Sequence, residues 1–131
     1  MKTLTLELKT SSRSQMLNIT DRVRQAVRDS GVTDGTVTVF VPHTTAGVTI
    51  NENADPDVVR DILYELDKIV PWEDGYRHYE GNSAAHIKAS MMGSSVTVIL
   101  ENGKLLLGTW QGIYFCEFDG PRSRNVMIRI S

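Results

Sequence analysis

Polar and apolar residues alternate one by one over several short stretches of the chain, which is the pattern of half-buried β-strands. Residues 3–9 (TLTLELK) begin the series, and residues 14–20 (SQMLNIT) offer a short second strand. Residues 36–41 (TVTVFV) and 45–52 (TAGVTINE) are rich in β-branched side chains and meet at Pro42. These stretches predict four strands in the first part of the chain.

Apolar residues at helical spacing are clearest in residues 54–70 (ADPDVVRDILYELDKIV). Asp55 is predicted to cap this helix, Pro56 to be its first residue, and Pro71 to end it. Two shorter helices are also predicted: one is capped by Thr20 or Asp21 and followed by Gly31, and the other spans residues 83–92, is capped by Asn82 or Ser83 and ends at Gly93.

The last third of the chain is predicted to be strands only. Residues 95–101 and 104–108 are joined by Asn-Gly, a strong hairpin signal. Residues 109–118 (TWQGIYFCEF) are apolar on both faces, so we expect either helices or a second subunit to cover both sides. With a final strand at 125–130, the pattern predicts one α+β domain over residues 1–131. Its sheet is expected to be mixed but largely antiparallel and covered by two or three helices.

Composition narrows the class of protein. Hydrophobic residues make up 40% of the chain and charged residues 23%, as in ordinary globular proteins. The net charge of −2 gives no general attraction to nucleic acid or to anionic membranes, and no stretch reaches the length of a membrane span. The single Cys116 excludes an intrachain disulfide framework and is typical of a reducing compartment. We therefore expect a cytoplasmic protein with neither nucleic-acid nor membrane partners.

The chain contains three histidines, His43, His78 and His86. Each is predicted to lie at a strand end, in a loop or at a helix start, where sites are usually built. Three histidines that leave one open position form a typical catalytic zinc site, although magnesium or manganese is a further candidate. The alternative is three unrelated histidines, each bonded to backbone, and the spacing alone does not decide between the two.

Polar residues in several parts of the chain are further candidates for a site. Glu80 can be a metal ligand, a partner that orients an imidazole, or a general base acting with His78, but it can equally be a solvated loop carboxylate. Glu52 and Asp119 are the other carboxylates that could serve the site. Candidates for binding an anionic substrate are Thr44, Thr45, Asn53, Arg122 and Arg124, with Asp119 as a possible brace for an arginine.

Three sequence blocks carry a resemblance to a known family: residues 43–58 (HTTAGVTINENADPDV), 78–90 (HYEGNSAAHIKAS) and 107–124 (LGTWQGIYFCEFDGPRSR). Their order and spacing resemble the YjbQ-like family, sometimes labelled secondary thiamine-phosphate synthase. The resemblance implies a compact homotrimer with a metal and anion pocket between or near subunits. It places the three histidines on the family's histidine positions, and it adds Asn82 and Ser83, at a helix start, as contacts of an anion.

Two functions follow as hypotheses. The first is a small metal-dependent enzyme acting on a phosphorylated small molecule, with thiamine-phosphate synthesis from a pyrimidine diphosphate and a thiazole phosphate as the reaction that the resemblance implies. The second is a non-catalytic trimer that binds a metal or a phosphorylated metabolite. A purely structural trimer with buried histidines is a third interpretation, and it predicts that all three histidines can be replaced without loss of a ligand.

Overall fold

The computed structural model describes residues 2–131. Within them one helix follows the first pair of strands, two helices follow the second pair, and four strands come last. The elements are β1 (Lys2–Lys9), β2 (Gln15–Asn18), α1 (Thr20–Ser30), β3 (Gly35–Phe40), β4 (Ala46–Glu52), α2 (Pro56–Ile69), α3 (Ser83–Met92), β5 (Ser95–Glu101), β6 (Lys104–Leu105), β7 (Gln111–Glu117) and β8 (Ser123–Ile130).

The strands form two sheets rather than the single sheet that the pattern predicts. Five strands pair in the order β1-β8-β3-β5-β6, and three pair in the order β2-β7-β4. Every pairing is antiparallel, so neither sheet is mixed. The main core lies between the inward faces of the two sheets and α1. The α+β class and the single compact domain are confirmed by this architecture.

Strand β7 is buried on both faces, as predicted, and elements of the same chain cover it. Ile113 and Phe115 point into the main core. Tyr114 and Cys116 point to the other side, into a second apolar cluster that includes Ala85 and Ala89 of α3. The sequence left open whether a helix or a second subunit covers this strand, and α3 is the element that does so.

Local signals predict most element ends. The Asp55 side chain accepts the Asp57 amide at 2.9 Å, and Pro56 is the first residue of α2. The turn between β5 and β6 has Asn102 and Gly103 at positive φ, as an Asn-Gly hairpin requires. The strand predicted over residues 104–108 is wrong in length, because only Lys104–Leu105 pair with β5.

The predicted N-cap of α1 is wrong, whereas that of α3 is confirmed in position but not in its side-chain hydrogen bond. Thr20 is the first residue of α1 rather than its cap, and its amide is accepted by the Asn18 side chain at 3.1 Å. Asn82 occupies the cap position of α3, but its side chain makes no cap hydrogen bond. The reason lies outside the helix, because the Asn82 side chain bonds to Asp119 instead.

None of the helices within residues 2–131 combines the length and the apolar character needed to cross a bilayer.

Candidate functional site

One end of the two sheets carries a polar cavity of about 760 Å³. Its walls come from the loop between β3 and β4, from the segment between α2 and α3, from the first turn of α3, and from the end of β7 with the start of β8. The lining residues are Pro42, His43, Thr44, Thr45, Trp72, His78, Glu80, Asn82, His86, Asp119, Arg122 and Arg124. Most of the predicted site residues therefore meet at one place.

Three of the candidates lie elsewhere. Ser83 borders a neighbouring cavity of about 450 Å³, which shares His78 and His86 with the main one. Asn53 follows the far end of β4, where its amide donates to Trp110 O at 2.9 Å. Because a strand of this length spans roughly 20 Å, Asn53 and Glu52 are separated from the cavity by the whole of β4. Neither lines the cavity.

The three histidines line the cavity, but in two groups. The rings of His78 and His86 lie edge to face, with centroids 5.5 Å apart. His43 is tied separately to β8, since the Asn125 amide donates to its Nε2 at 2.9 Å. This hydrogen bond requires an unprotonated Nε2, so His43 is a neutral imidazole with its proton on Nδ1. Burial and the nearby Arg124 guanidinium also lower the pKa of His43 below the 6.5 of an ordinary histidine.

This arrangement does not fit the predicted three-histidine metal site. In neutral His43 one ring nitrogen accepts the Asn125 amide and the other carries a proton, so neither offers a lone pair to a metal ion. No group of three or more His, Cys, Asp or Glu side chains within residues 2–131 is placed to hold a metal. Metal binding by the histidines stays a prediction, and it would require the His43 ring to leave the Asn125 amide.

A buried ion pair forms the floor of the cavity. Arg124 and Glu117 are 4% and 0% exposed, and Arg124 Nε donates to Glu117 Oε1 at 2.8 Å. Arg124 Nη2 bonds both to Glu117 Oε2 and to Thr45 Oγ1. Nη1 makes no hydrogen bond within residues 2–131 and is not fully buried, so it remains available to a ligand. Thr10, also buried, donates to Glu117 Oε1 at 2.9 Å.

The protonation state of Glu117 follows from these contacts. Burial alone would raise its pKa, but the hydrogen bonds that it accepts, first of all from Arg124, outweigh burial and hold the pKa below the ordinary 4.5. Glu117 is therefore ionised when the protein is folded at neutral pH. It cannot act as a proton donor there, and its role is to hold Arg124.

We expect this pair to make the fold sensitive to acid. A carboxyl group whose pKa is lower in the folded state contributes stability above its unfolded pKa, near 4.5 here, and that contribution is lost as the pH falls through the folded value. The free energy of unfolding, measured in urea at pH 7, 5 and 3.5, should fall mainly below about pH 4.5. A double variant with methionine at positions 117 and 124 should lose less stability over the same range; equal losses would contradict this assignment.

Asp119 organises one wall of the cavity. Its Oδ2 accepts Arg122 Nη2 at 3.0 Å and Asn82 Nδ2 at 2.9 Å, and its backbone oxygen accepts Arg122 Nε at 2.8 Å. Asp119 thus braces an arginine, as predicted from the loop sequence. Asn82 Oδ1 is buried and has no hydrogen-bond partner within residues 2–131, so this wall keeps one unused acceptor.

Glu80 is the freest carboxylate of the cavity. Its side chain is 58% exposed, and His78 Nε2 lies 4.0 Å from its Oε1. A carboxylate beside an imidazole, without a strong charge partner, is suited to accept a proton from a ligand. Glu80 and His78 are therefore the pair in the cavity that can carry acid–base chemistry.

Sequence reasoning missed two features of the site. The first is Glu117, which could have been found from the sequence because it is a charged residue in the apolar run that forms β7. Trp72, an apolar residue in a polar stretch, lines the cavity, and the Arg13 guanidinium lies 4.1 Å from its ring centroid. No sequence pattern relates Arg13 to Trp72, since the contact joins the loop after β1 to the segment after α2.

A family model described as "UPF0047 protein YjbQ-like" matches residues 4–131. The chain belongs to the YjbQ-like UPF0047 family. Among relatives, the UPF0047 protein YugU of Bacillus subtilis is 55% identical over 96% of each chain. A UPF0047 protein of Methanocaldococcus jannaschii is 51% identical over 95% of this chain and 90% of its own length.

Solved structures of YjbQ-like proteins have the same fold. A conserved protein of the YjbQ/UPF0047 family from Clostridium acetobutylicum superposes with a TM-score of 0.96 at 63% identity, covering 98% of this chain and 99% of its own. A hypothetical protein from Aeropyrum pernix reaches the same TM-score at 35% identity, covering 100% of this chain and 98% of its own. These names state no reaction, so the function of this YjbQ-like chain is argued from its cavity.

Proposed function

We propose that this chain is a small enzyme that acts on a phosphorylated small molecule, bound in the polar cavity that the three histidines line. One observation carries the proposal: a single cavity is lined by Arg122, Arg124, the three histidines and Glu80. Arginine is well suited to bind phosphate oxygens, and imidazole and carboxylate groups are the usual agents of proton transfer. Binding and acid–base groups thus face the same ligand.

The proposed role of each group follows from the hydrogen bonds that it already makes within the protein. Arg122 and the free Nη1 of Arg124 donate to the phosphate, with the hydroxyl of the exposed Thr44 as a further donor. Glu80 accepts a proton from the ligand, and His78 exchanges protons beside it. His43 is held neutral by Asn125, so we assign it to ligand contact through its Nδ1 proton rather than to proton transfer.

Within this class, thiamine-phosphate synthesis is the reaction that the family resemblance suggests. In that reaction the bond from a pyrimidine group to its diphosphate breaks as the bond to a thiazole phosphate forms, and pyrophosphate leaves. The arginines of the cavity suit a pyrophosphate leaving group. When present, a divalent ion would neutralise such a leaving group, but His43 does not fit as its ligand, so the proposed steps use side chains alone.

The alternative function is a trimeric module that binds a phosphorylated metabolite without changing it. The observation that favours it is that carboxylate partners hold both arginines in place, which orients them toward a ligand without giving them a part in chemistry. The proposed homotrimer is supported by large apolar side chains on the surface, such as Ile99 at 59% and Trp110 at 62% exposure. Apolar residues of this size are common at subunit interfaces.

Calorimetric titration with inorganic pyrophosphate tests the proposed ligand class. We expect Arg122→Met to weaken binding by at least about tenfold, since one charge-assisted contact is lost. Arg60→Met is the matched control, because Arg60 is exposed on α2 and does not line the cavity. Equal binding by the two variants would place the anion elsewhere and defeat the proposal.

Turnover separates the enzyme from the binding module. Phosphorylated metabolites, including the pyrimidine diphosphate and thiazole phosphate pair, would be screened for release of phosphate or pyrophosphate. For an enzyme whose reaction removes a proton from the ligand, we expect Glu80→Gln to bind inorganic pyrophosphate at least as tightly as the parent chain and to lower kcat by about 10²-fold or more, the usual contribution of a general base. An unchanged kcat in this variant would remove Glu80 from the mechanism.

A further inference from the structure

The charged side chains that line the cavity cancel one another. Arg122 and Arg124 supply positive charge, whereas Glu80 and Asp119 supply negative charge. Three of the four are already engaged: Arg122 with Asp119 at 3.0 Å, and Arg124 with the buried Glu117 below the floor. With histidine counted as neutral, the lining offers hydrogen-bond donors to an anion but no net positive charge.

Two charged groups that contact lining residues do not change this balance. Glu117 pairs with Arg124, and the Arg13 guanidinium lies 4.1 Å from the Trp72 ring centroid, so these two charges also cancel. His43 adds none, because the Asn125 amide donates to its Nε2. Glu80 remains the charge without a strong partner, since the only ion-pair partner of Glu80 in the part of the chain that the structure describes is His78, at 4.0 Å.

A phosphate monoester carries a charge of about −1.5 to −2 at neutral pH. Bringing such a group into a cavity without net positive charge is costly, and the unpaired Glu80 adds repulsion. We propose that the site selects a phosphorylated ligand accompanied by a positive charge, and that Glu80 faces that charge. This inference rests on the proposed function. The charge is either a cationic nitrogen of the ligand itself or a divalent ion bound to its phosphate.

Two phosphate esters of nearly equal shape test the inference. Phosphoethanolamine and propyl phosphate differ in an ammonium group where the other has a methyl group. By calorimetry at fixed ionic strength, with and without magnesium chloride, we expect phosphoethanolamine to bind at least about tenfold more tightly than propyl phosphate. Glu80→Gln should remove most of this preference, whereas Glu73→Gln, an exposed residue outside the cavity lining, should keep it.

Each outcome decides the question. If magnesium tightens propyl phosphate at least tenfold and Glu80→Gln cancels that gain, the accompanying charge is a metal ion. If propyl phosphate binds as tightly as phosphoethanolamine and magnesium tightens neither ester, the inference is wrong, while phosphate binding itself stands. If these esters and inorganic pyrophosphate all fail to bind, the proposed function falls together with the inference.

Discussion

Arg124→Met is expected to lower the free energy of unfolding by about 3–5 kcal/mol, the usual cost of breaking a buried ion pair from one side. The variant leaves the Glu117 carboxylate at 0% exposure without its main partner. Thr10 Oγ1 and the Asp119 amide would still donate to it, but neither carries a charge. Urea denaturation at pH 7, followed by circular dichroism, measures the loss.

Two variants show whether the charge or the packing is responsible. The double variant Glu117→Met with Arg124→Met removes both charges and keeps similar volume, so its stability should lie within about 2 kcal/mol of the parent chain. Arg122→Met removes an ion pair whose arginine side chain is 49% exposed, and it should cost less than about 1 kcal/mol. A double variant as unstable as the single one would show that the pair stabilises the fold through its packing and not through the pairing of opposite charges.

Gly47→Ala is expected to lower the free energy of unfolding by about 1–3 kcal/mol through overpacking. A Cβ atom at Gly47 would lie 2.6 Å from Gly93 O and 3.1 Å from Met92 Cβ, at the end of α3. The backbone oxygen cannot swing away without loss of its hydrogen bond from the Val48 amide, at 3.1 Å. The close approach of α3 to β4 therefore depends on the absence of a side chain here.

The same substitution should also change the shape of the cavity, because α3 carries His86 and begins next to Asn82, and both residues line the cavity. If α3 moves outward, pyrophosphate affinity should fall together with stability. Gly108→Ala is the matched control, since its added Cβ would meet only the flexible Gln111 side chain, at 3.3 Å, and it should change stability by no more than about 0.5 kcal/mol. An equal free energy of unfolding for the two variants would show that α3 moves to accommodate the added methyl group without loss of stability.

Features that depend on neighbours in the chain are predictable from the sequence. Asp55 and Pro56 start α2 because a cap and a proline act within one turn of a helix. Gly31 ends α1 at a φ of 73°, a conformation that glycine adopts without strain. The double-sided apolar run of β7 also predicts burial on both faces, because a strand alternates its side chains.

The sequence also places most of the site residues, since ten of the predicted residues line one cavity. These predictions rest on residue chemistry and on the family resemblance. The prediction is wrong for Asn53, because the length of a strand separates it from the cavity. Asn53 is a candidate because it lies at a strand-to-helix junction, in the same sequence block as His43. Strand β4 carries it to the opposite end of the sheet.

Local pattern and residue chemistry thus predict the α+β class, the principal element ends and most of the polar residues that line the cavity. Contacts between distant parts of the chain set how those residues are used: Asn125 holds His43 neutral, Glu117 neutralises Arg124, and Asp119 takes Asn82 away from its helix cap. The fold sets these contacts because hydrogen bonding and charge act through space over a few ångströms. The partners in each case come from different elements, and no local pattern records which of them meet.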